Sequence, residues 1–259
     1  MKIPLFQIDA FTDTLFKGNP AGVCPLESWL DDPTLQAIAA ENNVSETAFF
    51  VKREEHYELR WFTPKTEVDL CGHATLASAH VILNRLDPQA KVVRFHTKSG
   101  ELSVERQGDL LAMEFPSRPG TPCEAPESLI EALGLAPKEC LLARDYLAVF
   151  ESEASVKSVA PNMDKLAALD CLGVIVSAPG KRSDFVSRFF APKVGVPEDP
   201  VTGSAHCTLI PYWAAKLGKR KLHALQLSER GGELFCELHE DRVRIAGRAV
   251  TYLEGTICL

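Results

Sequence analysis

The chain has 259 residues, enough for one large domain or two of ordinary size, and its 46% hydrophobic and 24% charged content is that of a globular protein. A formal net charge of −7 and a pI near 5.6 argue against nucleic acid as the partner, because phosphate binding needs clustered cations. No apolar run approaches the roughly 18 residues of a membrane span, and the start MKIPLFQIDAF lacks a signal-peptide pattern, so a cytoplasmic location is expected.

In chain order, strand-like runs in the first half are IPLFQIDAF, TAFFVK, YELRWF, VVRFHTK, ELSVE and LLAMEF. The second half offers LLARDYLAVF, LGVIVSA, DFVSRFF, ALQLSE, ELFCEL and RVRIAG, again rich in β-branched and aromatic residues. Helical spacing predicts helices over 33–42, 72–86, 126–134, 161–169 and 203–217. The Pro/Gly-rich stretch PSRPGTPCEAP (116–126) is the linker candidate. Between Ala74 and Leu86 the apolar residues cover nearly the whole helix circumference, and such a helix has to be buried on all sides. A curved sheet wrapped around it is the simplest solution. In the second long helix Pro211 predicts a kink or an early stop. The eight cysteines contain no CxxC pair and the histidines lack ligand spacing, so buried thiols are expected and a metal site is not.

One pattern repeats. RWFTPK (60–65) and RFFAPK (188–193) are nearly the same hexapeptide, and PTLQAIAA (33–40) and PNMDKLAA (161–168) stand at the same offset of 128 positions. Each hexapeptide is followed by an acidic residue, a glycine and an apolar helical run. A repeat of that length means two related half-domains rather than a solenoid. The expected architecture is α/β of the mixed α+β kind, with two pseudo-symmetric halves near 1–117 and 118–246. Residues 247–259 are expected to form a strand that returns to the first half. Helix 72–86 and helix 203–217 each open at a glycine, in CGHAT and TGSAH. A helix start carries unpaired N–H groups and a partial positive charge, which suits a carboxylate or phosphate, and glycine allows close approach. The two starts are expected to face one another and hold a small anion. Tight turns alone would also account for these glycines.

Glu46 lies in NNVSETAFF, where a helix hands over to an apolar strand, and 128 positions on stands Val174. A carboxylate where the sister copy has a core-like valine is partly desolvated, which suits proton transfer near neutrality. An exposed turn glutamate is the plainer reading of this residue by itself. Likewise His73 alone reads as a structural histidine, Asp199 as a turn aspartate and Ser204 as a helix cap.

Taken together, GNPAGV (18–23), NNVSETAF (42–49), RWFTP (60–64), CGHAT (71–75) and EDPVTGSAH (198–206) resemble the phenazine-biosynthesis PhzF-like isomerase family, in the family's order and over essentially the whole chain. The resemblance implies a diaminopimelate epimerase-like fold and a homodimer. It further implies a cofactor-independent isomerase acting on a small carboxylate-bearing substrate. On this resemblance Glu46 is the proton shuttle and His73 and Asp199 are its catalytic partners, while Ser45, Gly72, Gly203 and Ser204 contact the substrate. No metal, nicotinamide or pyridoxal cofactor is implied, and no nucleotide fingerprint is present. The alternatives are a two-thiol epimerase, for which Cys71 is present but Thr202 stands where the second thiol belongs, and a non-catalytic binding protein.

Overall fold

The computed structural model describes residues 1–259. By its internal contacts the chain divides into two compact units, residues 1–114 with 246–259, and residues 115–245.

The first unit opens with β1 (Lys2–Ala10) and β2 (Asn19–Leu26), followed by α1 (Asp32–Asn42). Asp31 caps α1 by accepting the Thr34 N–H at 2.9 Å, and Asn43 ends it in the left-handed region. Next come β3 (Glu46–Lys52), β4 (Tyr57–Phe62), the two-residue β5 (Glu67–Val68) and the central helix α2 (Gly72–Val81). The expected helix over 72–86 is continuous, but its last five residues, Ile82–Leu86, widen into a π-turn. β6 (Val92–Thr97), β7 (Gly100–Gln107) and β8 (Leu110–Pro116) follow.

In the second unit the elements are β9 (Thr121–Cys123), α3 (Glu127–Leu133), β10 (Glu139–Leu142), β11 (Tyr146–Val149), α4 (Glu153–Ser158) and α5 (Met163–Ala167). They continue with β12 (Val174–Pro179), β13 (Phe185–Phe190), the central helix α6 (Gly203–Leu217), β14 (Lys221–Gln226), β15 (Gly232–His239) and β16 (Arg242–Gly247). The final strand, β17 (Ala249–Cys258), belongs to the first unit and pairs antiparallel with β1 along its whole length.

The pairing pattern is the same twice. β1–β2 is antiparallel, β2–β3 parallel, β3–β4 antiparallel, β4–β6 parallel and β6–β7 antiparallel. β10–β11 is antiparallel, β11–β12 parallel, β12–β13 antiparallel, β13–β14 parallel and β14–β15 antiparallel. The long helix falls at the same place in each series. α2 touches β17 and β1 as well as β7, strands well separated in the sheet order, so the sheet curves around it. Every residue of α2 from His73 to Ala79 is buried, as a helix apolar all round requires. α6 packs on β14 and β15, and its Trp213 donates to Ser177 of β12 at 2.9 Å.

Several local expectations are corrected. The run 141–150 is not one strand: β10 and β11 are separated by a turn in which Ala143 N–H donates to Asp145 O. The supposed linker 116–126 contains β9, which pairs with β10. Of the two outcomes predicted at Pro211 the early stop does not occur, and α6 runs to Leu217 over its expected span. α4, capped by Ser152, has no counterpart among the expected helices.

The repeated hexapeptides now have a physical explanation. Arg60 forks onto Glu67 at 2.7 and 2.9 Å and lies 5.1 Å from the Phe62 ring centre. Arg188 forks onto Glu198 at 2.7 and 3.0 Å and lies 4.8 Å from the Phe190 ring centre. A planar guanidinium does both jobs at once, which a lysine would not. This clamp fastens the segment leading to each central helix onto its preceding strand. The Arg60 bond, joined by Lys98, holds the Glu67 carboxyl down at about 2 despite its partial burial.

Candidate active-site residues

Glu46 is the first residue of β3 and sits in register with Ala21 of β2. Left-handed Asn43 turns the chain at the end of α1, and Asn42 donates to Thr47 at 3.1 Å, so the position of Ser45 and Glu46 is set from both sides. The Glu46 side chain is only 15% exposed, and its Oε2 lies 3.1 Å from His73 Nε2 in an ion-pair contact that is not aligned as a hydrogen bond. The partial burial expected of Glu46 is present. Its assigned counterpart is not: with Phe62 matched to Phe190, the ladders set Thr47 beside Val174, so Glu46 corresponds to Gly173. A Cβ on Gly173 would stand 2.5 Å from the Phe189 ring, so the second copy has no room for any side chain there.

Cys71 and His73 flank Gly72 at the start of α2, where no side chain caps the helix. His73 is buried, with Nδ1 3.2 Å from the Asn19 amide and 3.5 Å from Cys71 Sγ. Burial by itself would lower the His73 pKa, but the Cys71 sulfur and the Glu46 carboxylate overcome it and the net direction is upward. Cys71 is itself pushed up to about 11, by burial first and then by Glu46, so it is a neutral thiol near pH 7. Of the two groups that raise His73, Cys71 contributes more and Glu46 is second. In its imidazolium form the ring needs acceptors at both nitrogens: Glu46 serves Nε2, and Cys71 or the oxygen of a turned Asn19 amide serves Nδ1.

Donor atoms of Glu46, Cys71 and His73 all lie within 4.8 Å of one another, the reach of a metal site. The ring, however, presents Nε2 to Glu46 and Nδ1 to Cys71, and a single ion takes only one imidazole nitrogen. The group fits a row of polar contacts running through the imidazole better than a converging ligand set.

In the second unit Gly203 opens α6 behind Thr202, again without a side-chain cap, so Ser204 is not the cap that its sequence position suggests. Thr202 donates its hydroxyl to Asp199 Oδ2 at 2.6 Å, while Gln226 accepts the Thr202 N–H at 2.9 Å and donates to Asp199 O at 2.8 Å. Asp199 is thereby tied to the helix start rather than left in a plain turn. Ser204 Oγ accepts from Arg144 Nη2 at 3.0 Å, and the same guanidinium holds buried Asp145 at 2.8 Å.

Sequence reading missed Arg144 and Asp145 because it placed them inside a strand. Two adjacent charges in the otherwise apolar run LLARDYLAVF were the available signal. Asn19 was also missed; it is fully buried and follows Gly18, whose positive φ of 65° and contact with Ala10 O exclude a side chain.

The family described as phenazine biosynthesis-like protein matches residues 8–255. The chain belongs to the phenazine biosynthesis-like, or PhzF, family. A Pseudomonas aeruginosa protein named as an uncharacterized isomerase is 56% identical over 259 residues, covering all of both chains. Phenazine biosynthesis-like domain-containing protein 2 of Mus musculus is 42% identical, with 99% of each covered. Among solved structures, a PhzF-family protein of Enterococcus faecalis superposes with a TM-score of 0.98 at 45% identity over both whole chains. A hydroxyproline epimerase from Agrobacterium vitis shares the fold at a TM-score of 0.65 and 11% identity, with 100% of this chain and 93% of that one covered. No helix is long and apolar enough to cross a membrane.

Proposed function

We propose that the protein is a cofactor-independent isomerase that moves a carbon-bound proton on a small carboxylate-bearing substrate, with Glu46 as the acid–base. The observation that carries this reading is the contact of Glu46 with buried His73 at the start of α2. In the proposed reaction the Glu46 carboxylate removes a proton from one carbon and returns the same proton to another. The negative charge that develops on the substrate meanwhile faces the His73 imidazolium and the first N–H groups of α2, fixed donors that need no rearrangement during the step. Gly72 and Ser45 let the substrate approach the backbone.

From the second unit, Gly203 and Ser204 contact the substrate carboxylate, with Arg144 supplying the cation. Asp199, held by Thr202 and Gln226, orients a polar group of the substrate. Arg144, held by Asp145 and bonded to Ser204, puts a fixed guanidinium beside the start of α6, a pairing of donors that supports a carboxylate there. The relatives named as isomerases support the reaction class. A two-thiol epimerase fits less well, since Thr202 occupies the place of the second thiol and Cys71 is a neutral, buried one. A homodimer in the cytoplasm is part of the proposal by family resemblance.

The test is incubation with a panel of small carboxylates in deuterated water, dihydro-3-hydroxyanthranilate among them, followed by mass spectrometry for carbon-bound deuterium. Glu46→Gln keeps shape and hydrogen bonding but removes the base, so ligand binding survives while exchange falls by about 10²-fold or more. Cys71→Ala keeps most of the activity. Exchange abolished by Cys71→Ala but spared by Glu46→Gln would transfer the shuttle to the thiol.

A further inference from the structure

The second unit holds a pair of cysteines that the reaction above does not use. Cys123 in β9 and Cys140 in β10 stand directly opposite one another in an antiparallel ladder. Their sulfurs are 3.6 Å apart, with the Cys123 thiol donating to Cys140. Pro122 has no N–H and faces Leu141, which makes Leu141 and Pro122 a non-hydrogen-bonded pair and the neighbouring cysteines a hydrogen-bonded one. Opposed residues of that kind have Cα atoms about 5.5 Å apart, inside the window that a disulfide spans. Closing the bond therefore needs rotation of two side chains and no movement of the backbone.

Both cysteines line an open cavity of about 960 Å³ within the second unit, so the pair has an approach path. Cys123 is half-buried and Cys140 buried, which divides the roles: Cys123 is the thiol that a solvent-borne reagent meets, and Cys140 waits behind it. Burial, and then the Cys123 neighbour, push the Cys140 thiol up to about 12, so it is protonated near pH 7 and is not the thiol that meets the reagent first.

We infer that Cys123 and Cys140 form a reversible dithiol–disulfide site that is oxidised by low-molecular-weight disulfides of the glutathione class entering through this cavity. The Cys123 thiol loses its proton and attacks one sulfur of the small disulfide, releasing one small thiolate and leaving a mixed disulfide on Cys123. Cys140 then loses its proton and attacks the Cys123 sulfur, releasing the second small thiolate. Two protein thiols are oxidised, one external disulfide is reduced to two thiols, and the two released protons pass to the leaving thiolates or to water. The product staples the short strand β9 to β10.

The experiment treats the folded, reduced full chain with excess oxidised glutathione, traps the remaining thiols with iodoacetamide and maps peptides by mass spectrometry. The expected product is a linked peptide pair containing Cys123 and Cys140, two hydrogens lighter than the reduced pair and restored by dithiothreitol. Cys140→Ser should stop at the glutathione adduct on Cys123, and Cys123→Ser should leave Cys140 unmodified. Thermal melts of both reduced variants check that they are folded, and the oxidised wild type should melt higher because the closed loop constrains its unfolded chain. The inference is overturned if Cys123 and Cys140 stay unlinked in the native protein, if oxidation is confined to half-buried Cys171 and exposed Cys258, or if the link appears only in denaturant.

Discussion

At the scale of single residues, charge separates His73 from an ordinary structural histidine. A folded pKa above the usual value of about 6.5 means that its charge stabilises the fold fully below that pH, and that the contribution is lost as pH rises through the higher folded value. The difference in melting temperature between the wild type and His73→Asn should therefore shrink as pH climbs from about 6 into the alkaline range. A constant difference would show that the imidazolium is absent. Arg144 is open to a second check: Arg144→Ala should raise KM for whichever carboxylate exchanges deuterium, by about 10-fold or more, since a charged hydrogen bond contributes roughly 1.5–3 kcal/mol. An unchanged KM would remove Arg144 from the substrate.

Much of this was legible in residue types and order. Glu46, Cys71, Gly72 and His73 are in one unit and do come together, because the hand-over from helix to strand and the glycine at the helix start are local signals. What the chain concealed was register. Offset counting matched Glu46 with Val174, whereas matching the two ladders at Phe62 and Phe190 makes Gly173 its counterpart, and only backbone pairing reveals a one-residue slip. Arg144 stayed hidden for a related reason: the tight turn between two apolar strands contains neither glycine nor proline, so only the adjacent charges Arg144 and Asp145 marked it.

At the scale of elements, the arginine clamp explains why the hexapeptide occurs twice. Arg188 holds Glu198 with two hydrogen bonds and also donates to Val159 O at 2.7 Å and Val156 O at 3.2 Å, at the end of α4. Both side chains of the ion pair are mostly buried, so the loss is not screened as a surface pair would be. Arg188→Met should destabilise the second unit by about 2–3 kcal/mol, read from denaturant unfolding, because Glu198 and two carbonyls lose their donor. A loss below about 0.5 kcal/mol would reduce the clamp to a surface pair. Strand β2 was another element that sequence reading overlooked. Its Pro20 and Pro25 argue against a strand between two others, yet β2 lies between β1 and β3 and carries Asn19 toward His73.

At the scale of the whole molecule, the first unit joins residues 1–114 to residues 246–259, which lie far apart in sequence. β17 runs along β1 from Lys2 opposite Cys258 to Ala10 opposite Ala249, with one bulge, and Leu259 N–H donates to Met1 O at 2.8 Å. Removing residues 249–259 would strip β1 of its outer partner and leave a long row of unpaired N–H and C=O groups, a template for another strand. The truncated chain should elute from gel filtration as aggregates or melt well below the full chain. Monodisperse protein with an unchanged melting temperature would show that β17 is dispensable.

That same ladder imposes an order of birth. Residues 115–245 leave the ribosome as one continuous segment, whereas the unit that contains β1 waits for β17. The unit that starts to emerge first is thus completed after the other, and until residues 249–258 have emerged β1 is a half-made edge among crowded neighbours.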